Sequence, residues 1–204
     1  MHVQRLDSVE LRVLGCLVEK QRTTPEQYPL TLNALRLACN QTTNRDPVLE
    51  LDESQVRQAA QSLGTKGYAR LATGPGSRTA KYRQLFQEAL DLMPAEISIL
   101  AVLILRGPQT AAELKTRTER LASIDDVPAV LERLAGKELV ALLERRPGQR
   151  EERWTHLLAE ESAQHAQEAD SEPEPVTVGS SPLEARLAAL EERVAELERL
   201  LGSS

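Results

Sequence analysis

Aromatic side chains are scarce in this sequence of 204 residues, which contains three Tyr, one Phe and one Trp. Any hydrophobic core must therefore be built from Leu, Val, Ile and Ala, as in small helical domains. No stretch approaches the roughly 18–20 consecutive apolar residues that a membrane-spanning helix needs. The first ten residues, MHVQRLDSVE, lack the apolar segment of a signal peptide. We therefore expect a cytoplasmic protein.

Side chains suited to catalysis or metal binding are also few. The three histidines, His2, His156 and His165, are scattered, and Cys16 and Cys39 lack the spacing of a metal site. Both cysteines fall within helical patterns, which predicts two reduced, partly buried thiols. The sequence has no Gly-rich phosphate loop and no nucleophile elbow. We therefore predict a protein that is not an enzyme and binds neither cofactor nor metal.

The net charge of −6 is unevenly distributed along the chain. Residues 1–91 carry 12 Lys and Arg against 10 Asp and Glu, and residues 92–158 carry 10 of each. Residues 159–204 carry 3 basic against 11 acidic residues. The acidity lies in the tail, so the rest of the chain is compatible with a nucleic-acid partner.

The chain contains an internal duplication. Asp7 and Glu10 form the capping-box pattern of a helix N-terminus, and an apolar stripe with helical spacing follows them. The pattern of this first helix recurs 86 residues further along the chain. The pattern of the third helix recurs after 71 residues, and that of the hairpin turn after 72 residues. Matched pairs are Leu14 with Leu100, Leu63 with Leu134, Lys66 with Lys137, Leu71 with Leu142, and Tyr82 with Trp154. Steady offsets across three elements predict two copies of one unit.

Each copy has the order helix, helix, helix, strand, turn, strand, which is typical of a winged helix-turn-helix. The predicted strands are 69–73 with 79–83 and 140–144 with 150–155, and residues 28–31 could add a short strand. Residues 84–92 are predicted to form a joining helix. We predict an α+β fold, mainly α with small β hairpins: two tandem winged-helix domains, 1–91 and 92–158, followed by a coiled-coil helix.

The tail has two parts. Residues 159–182 are acidic, contain Pro and Ser, and lack periodicity, which predicts a flexible linker. Residues 183–201 show heptad spacing, and their g and e charges favour a parallel homodimer. The alternative is an amphipathic helix that folds back on the body. The predicted dimerisation residues are Leu183, Leu187, Leu190, Val194, Leu197 and Leu201.

The third helix of the first unit has an outer face rich in Gln and Arg, which can pair with base edges. A polar loop precedes this helix, and cations surround the following turn, where they would attract phosphate. The alternative is a solvated helix face and a loop that satisfies its own backbone. The predicted DNA-binding residues are Asn40, Gln41, Asn44, Arg45, Ser54, Gln55, Arg57, Gln58, Gln61, Lys66, Arg78, Lys81 and Arg83.

The second unit is a weaker candidate for DNA recognition. Its third helix begins with Asp125 and Asp126, which phosphates would repel, and Pro128 fits only in the first turn. Its wing mixes basic and acidic residues. We expect either auxiliary backbone contact or a role facing another protein. The residues predicted for auxiliary contact are Arg145, Arg146, Arg150 and Arg153.

Three segments carry a family resemblance: LGCLVEKQRTTPEQYPLTLNALRLACNQTTNRDPVLEL, GPGSRTAKYR and RRPGQREERWTHL. They resemble the hallmark segment and the two hairpins of the YceH family of uncharacterised bacterial proteins, from about Leu6 to Leu158. This resemblance implies a tandem winged-helix fold in a cytoplasmic protein without an agreed activity. Family members commonly carry Lys where this chain has Thr42. The residues that match the motif serve either a partner site or the helix connections: Glu19, Lys20, Gln27, Tyr28, Pro29, Asn40, Gln41, Asn44, Arg45 and Pro47.

These features predict a dimeric protein that binds double-stranded DNA through the third helix and wing of its first domain, as a transcriptional regulator. The alternative is a protein–protein interaction module of paired winged helices, of the chromosome-organisation accessory type. The acidic tail and the acidic start of the second unit's third helix favour that alternative.

Overall fold

The computed structural model describes residues 3–72, 79–145 and 151–159. Over these residues the chain combines helices with small antiparallel sheets, which confirms the α+β class. Within the same ranges no helix is long and apolar enough to cross a membrane. The tips of both hairpins, the linker from residue 160 onward and the heptad segment 183–201 lie outside the described residues.

The first half of the chain, up to residue 92, begins with the long helix α1. It continues with a short strand, two helices, two further strands and a single-turn helix. The elements are α1 (Ser8–Thr23), β1 (Leu30–Thr31), α2 (Leu32–Cys39), α3 (Glu53–Thr65), β2 (Ala69–Leu71), β3 (Lys81–Gln84) and α4 (Phe86–Ala89). A turn of 3-10 helix, Pro25–Gln27, lies between α1 and β1.

The second half, from residue 93, follows the same order. Its elements are α5 (Pro94–Arg106), α6 (Ala111–Thr118), α7 (Val127–Gly136), β4 (Val140–Leu143) and β5 (Arg153–His156). The place of β1 is taken by an isolated bridge between Gln109 and Trp154. The sequence-predicted joining helix at 84–92 is shorter in the structure, where only α4 is helical.

The helices begin where side chains satisfy the free N–H groups of the first turn. Asp7 caps α1 in the predicted capping box with Glu10, and Thr110 caps α6 in a second capping box with Glu113. Asp52 caps α3 in the same way, with Gln55 as its reciprocal partner. Asp126 caps α7 by accepting from Ala129 N at 3.0 Å, and Pro128 lies in the first turn as predicted.

The first sheet has the strand order β1-β3-β2, and both pairs are antiparallel. Tyr82 in the central strand pairs with Leu30 on one side and Leu71 on the other. The expected short strand within 28–31 is therefore confirmed as β1. In the second sheet β4 pairs with β5, with Leu142 opposite Trp154. At the end of the described chain, Leu6 N donates to Leu158 O at 2.9 Å.

One apolar core runs through both halves because α1 packs along α5. Gly15, in the middle of α1, allows this approach. A Cβ at Gly15 would lie 2.9 Å from side-chain carbons of Ile104 and Leu105 on α5. Leu14, Leu17, Leu100 and Leu103 are fully buried on these two helices.

A buried ion pair is duplicated with the fold. Lys66, at the C-cap of α3, contacts Glu10 in the first turn of α1 at 2.6 Å, and the Glu10 side chain is 3% exposed. Lys137, at the C-cap of α7, contacts Glu96 in the first turn of α5 at 2.9 Å. Burial raises the pKa of the Glu10 carboxyl, but donation by Lys66 and by Ser62 outweighs it and holds the pKa below its usual value. Each pair ties the start of a unit's first helix to the end of its third.

Candidate functional site

Helix α3 presents one polar face to solvent. Its inner face is made of Val56, Ala59, Ala60 and Leu63. The predicted DNA-binding positions on this helix are all exposed: Ser54, Gln55, Arg57, Gln58 and Gln61. Asp52 and Glu53 stand at the start of the helix, and from Ser54 to Thr65 it carries no carboxylate, so a polyanion would meet acidic groups only at the N-terminal end of this face.

Three residues on this face already make local contacts. Gln55 accepts from Asp52 N at 2.9 Å to complete the capping box, and Ser54 Oγ donates to Asp52 at 2.7 Å. Arg57 approaches Glu53 at 3.5 Å, with both side chains more than half exposed, so the pair is weak and easily exchanged. Gln58 and Gln61 make no side-chain hydrogen bond within the described part of the chain. These two are the freest donors and acceptors on the face.

The base of the predicted wing is a short hairpin with cations on both strands. Arg70 on β2 pairs in register with Arg83 on β3. Arg83 donates to Glu88 at 2.8 Å, which neutralises part of its charge, whereas Arg70 is exposed. Lys81 is half-buried at the start of β3. Arg78 and the turn at 73–78 lie outside the described residues.

Arg70 was not among the sequence-predicted site residues. It is an exposed cation on β2, and its register with Arg83 places both residues on the same face at the base of the hairpin. The register of the hairpin could have identified it, because a strand residue directly opposite a predicted contact shares its surface.

The polar loop before α3 is held together by its own side chains, as in the alternative interpretation. Asn40 donates to Leu51 O at 2.8 Å and accepts from Leu51 N at 2.9 Å, which closes the loop. Arg12, buried on α1, donates to Cys39 O at 3.0 Å and to Pro47 O. The loop is therefore fixed from inside the protein.

Arg45 differs most from its predicted place in an open loop. The residue is 6% exposed, and its guanidinium meets both Glu19 oxygens, at 3.1 and 2.6 Å. It also donates to Ala38 O at 3.1 Å and Gln41 Oε1 at 2.8 Å. Burial alone would lower the pKa of Arg45, but the bidentate contact with Glu19 raises it above its usual value. Arg45 is a structural cation and is not available to a ligand on the α3 face.

Lys66 is also part of the scaffold, because its ammonium group is held by Glu10 and by Arg5 O at 3.0 Å. The repeat contained the signal that sequence reasoning missed. Glu96 and Lys137 stand at the equivalent positions, and Lys137 likewise donates to Asp91 O at 3.0 Å. A charge pair that is present in both copies indicates a structural role, which is to hold the third helix of each unit against the first.

The cations of the second unit are largely paired where they are described. Arg145 contacts Glu152 at 3.2 Å, and Arg153 contacts Glu113 at 3.0 Å. Arg146 and Arg150 lie outside the described residues. On α7 the exposed residues include Glu132, next to Arg133. The second unit thus offers a mixed-charge surface where the first offers a neutral to basic one.

The family model described as "Protein of unknown function, DUF480" matches residues 6–149. The chain belongs to this family. It is 46% identical over 204 residues to a UPF0502 protein of Pseudomonas savastanoi pv. phaseolicola, covering 95% of this chain and 92% of that protein. A UPF0502 protein of Geobacter sulfurreducens is 48% identical over 198 residues, covering 94% and 90% of the two chains. One from Pseudomonas aeruginosa is 49% identical over 188 residues, covering 91% and 81%. The resemblance to an uncharacterised bacterial family is thereby confirmed.

In this DUF480 chain both cysteines are buried, whereas the sequence predicted partial burial. Cys16 Sγ donates to Ala38 O at 3.3 Å. The neighbouring Cys16 sulfur and burial together raise the pKa of the Cys39 thiol, which keeps it protonated and unreactive. Among the described residues, no group of three or more His, Cys, Asp or Glu side chains is placed to hold a metal ion.

Proposed function

We propose that the protein binds double-stranded DNA as a transcriptional regulator in the cytoplasm. In this proposal each half is a winged-helix unit, and the first half reads DNA with the exposed face of α3 while its hairpin contacts phosphates. The element order in each half supports the winged-helix assignment: a helix, a strand or bridge, two helices and a hairpin.

The observation that carries the proposal is the exposed face of α3. Arg57, Gln58 and Gln61 project from a helix whose opposite side is anchored in the core. Gln and Arg side chains recognise adenine and guanine edges with two hydrogen bonds each. A rigid helix that holds such side chains in the major groove is the usual means of recognition in this class of DNA-binding domains.

The test is selection of DNA from a random duplex library by the immobilised full-length chain, followed by fluorescence anisotropy on the enriched sequence. The double substitution Gln58→Glu with Gln61→Glu should weaken binding by about 100-fold, because each base pairing that is removed costs about 1–3 kcal/mol. The charge-matched control is Lys115→Gln with Arg145→Gln in the second half, which also lowers the net charge by two. It should leave affinity within about twofold. Failure to enrich any sequence, or equal weakening in both variants, contradicts the proposal.

We further propose that residues 183–201 form a parallel coiled coil that makes the protein a homodimer. The heptad spacing and the g–e charges support this pairing. Removing residues 183–204 should halve the mass measured by light scattering. A truncated chain that keeps the mass of the full-length protein would refute the role of the heptads.

A specific observation favours protein binding as the second candidate function. Leu71 on β2 and Leu142 on β4 occupy equivalent positions in the two hairpins and are 57% and 42% exposed. An apolar side chain exposed in both copies fits a partner with an apolar surface. Salt distinguishes the two candidates, since DNA binding weakens steeply with added salt and apolar contact responds far less.

A further inference from the structure

A cavity of about 210 Å³ lies where the end of α1, the loop after α2, the end of α5 and the end of α6 meet. Its apolar floor comes from α5 and includes Val102 and Leu105. The walls are charged, with Lys20 from α1, Arg106 from α5, and Arg117 and Arg120 from α6 and the turn after it. The two halves of the duplicated fold therefore build this site together.

Positive charge in the cavity exceeds negative charge. The carboxylate among the lining residues is Glu19, and Arg45 holds both of its oxygens. Lys20 reaches the same carboxylate only at 3.7 Å. Arg117 is paired with Glu113 at 3.4 Å. Once the Arg45–Glu19 and Arg117–Glu113 pairs are set aside, the cavity keeps the charges of Lys20, Arg106 and Arg120.

Arg106 has the least compensated charge. Its guanidinium is half-buried and donates to Asn44 Oδ1, a neutral acceptor. No carboxylate within the described ranges forms an ion pair with it. Burial, together with repulsion from Arg117, Arg45 and Arg120, outweighs attraction by Glu19 and lowers the pKa of Arg106 below its usual value. A half-buried cation surrounded by other cations is costly unless an anion joins it.

The size and chemistry of the cavity limit what such an anion can be. The volume is below the roughly 300–1,000 Å³ of pockets for drug-sized ligands. Guanidinium groups bind the oxygens of phosphate and carboxylate in a forked geometry. Three uncompensated positive charges match a phosphoryl group, which carries about −1.5 to −2 at neutral pH, better than a single carboxylate.

We propose that this cavity binds a small phosphorylated molecule through its phosphoryl group, with Arg106 and Arg120 as the main contacts and Lys20 as a supporting charge. The apolar floor on α5 faces the uncharged part of the ligand. Because the lining comes from both halves, the bound ligand fixes the ends of α1, α5 and α6 relative to each other. This site is independent of DNA binding by α3.

The test uses pyrophosphate and inorganic phosphate as probes, with isothermal titration calorimetry on the full-length chain at constant ionic strength. Saturable binding of one equivalent per chain is expected. Arg120→Gln removes an exposed cavity cation without disturbing the core and should weaken binding about tenfold or more. Arg106→Gln should weaken it at least as much. The matched control is Lys115→Gln, which removes one exposed charge from α6 outside the cavity and should leave affinity unchanged.

Three results would overturn the proposal. Titration without saturation, or equal weakening in Arg120→Gln and Lys115→Gln, would show general charge screening instead of a site. The third is competition between pyrophosphate and a short DNA duplex that disappears in Arg120→Gln. That result would assign the cavity to the phosphate backbone of DNA and not to a small molecule.

Discussion

The two halves of the chain share their internal scaffold and differ at their surfaces. Both place a carboxylate in the first turn of the first helix and pair it with a lysine after the third, as Glu10–Lys66 and Glu96–Lys137. Their third helices, in contrast, expose different chemistry. Both helices start at two acidic residues, Asp52 and Glu53 for α3 and Asp125 and Asp126 for α7, but only α7 carries a further carboxylate, that of Glu132. Duplication of the fold has therefore not duplicated the surface that we assign to DNA.

The connections before the third helices differ as well. In the first half the loop between α2 and α3 is braced by Asn40 and by the buried pair of Arg45 with Glu19. In the second half a shorter segment joins α6 to α7 and ends at the cap Asp126. The longer, braced loop supplies Asn44 to the cation-lined cavity. The braced loop of the first half thus borders both proposed binding features: it precedes α3, and it lines a cavity whose main cations, Arg106 and Arg120, come from the second half.

The largest expected difference in stability between equivalent substitutions in the two halves is at the duplicated ion pair. Lys66→Met leaves the Glu10 carboxylate buried without a cation and should lower the free energy of unfolding by about 3 kcal/mol. Lys137→Met should cost less, about 1 kcal/mol, because Arg133 still lies 3.7 Å from Glu96. Urea unfolding at pH 7 measures both.

The control for this prediction also removes the Glu10 carboxylate that Lys66→Met leaves without a cation. Adding Glu10→Gln to Lys66→Met should recover most of the stability, since no buried carboxylate remains. Equal destabilisation at Lys66 and Lys137 would mean that Arg133 gives Glu96 no support, and the two pairs would then be energetically identical.

The next effect concerns pH and arises in the second half alone. Burial lowers the pKa of His156 on β5 to about 4, and its Nδ1 accepts from Leu158 N at 3.4 Å. The folded pKa lies below the unfolded value of about 6.5, so protons favour the unfolded chain. Stability should therefore fall as pH decreases from about 6.5 to 4, by on the order of 2 kcal/mol.

The residue equivalent to His156 in the first half provides a variant that tests whether His156 causes this pH dependence. Gln84 occupies the position equivalent to His156 and is buried, with a side chain that does not titrate. His156→Gln should flatten the stability profile between pH 6.5 and 4.5, measured by thermal unfolding. The steeper decline below pH 4.5, where Glu10 and Glu113 become protonated, should remain. An unchanged slope above pH 4.5 would exclude His156 as its origin.

The smallest stability effect compares two helical glycines. Gly15→Ala places a Cβ against Ile104 and Leu105 at 2.9 Å. The resulting overpacking should outweigh the gain in helix propensity, for a net destabilisation of about 1 kcal/mol. At Gly136 on α7 a Cβ would meet nothing within 4 Å, so Gly136→Ala should stabilise by about 0.5 kcal/mol. Chemical denaturation that ranks the two variants in the opposite order would contradict the close packing of α1 on α5.

Much of the fold could be predicted from sequence because it rests on local signals. Asp7 with Glu10 and Thr110 with Glu113 are contiguous capping boxes, and helical spacing of apolar residues marks α1 and α5. The short β1 also falls within the predicted residues 28–31. The interface between the halves could not be predicted, because Gly15 gives no sign in sequence of which helix approaches it.

The candidate site was harder to predict, because the sequence shows that a side chain is charged but not which residue it contacts in the fold. Arg45 and Gln58 are both polar residues near α3 in sequence, yet one is buried against Glu19 and the other is exposed. The partners of Arg45 and Lys66 lie 26 and 56 residues away, beyond any local pattern. Arg106 and Arg120 line a common cavity only because α5 and α6 meet the loop after α2 in the folded chain.

The central claim is that the first half, and not the second, contacts DNA. The most direct measurement is the salt dependence of DNA affinity for the full-length chain, compared between matched double variants. Arg70→Gln with Lys81→Gln in the first hairpin should reduce the slope of log affinity against log salt by about 2, one for each phosphate that is no longer neutralised. Lys115→Gln with Arg145→Gln in the second half should leave the slope unchanged. Equal slopes in all three proteins, or a larger change from the second-half variant, would contradict the claim.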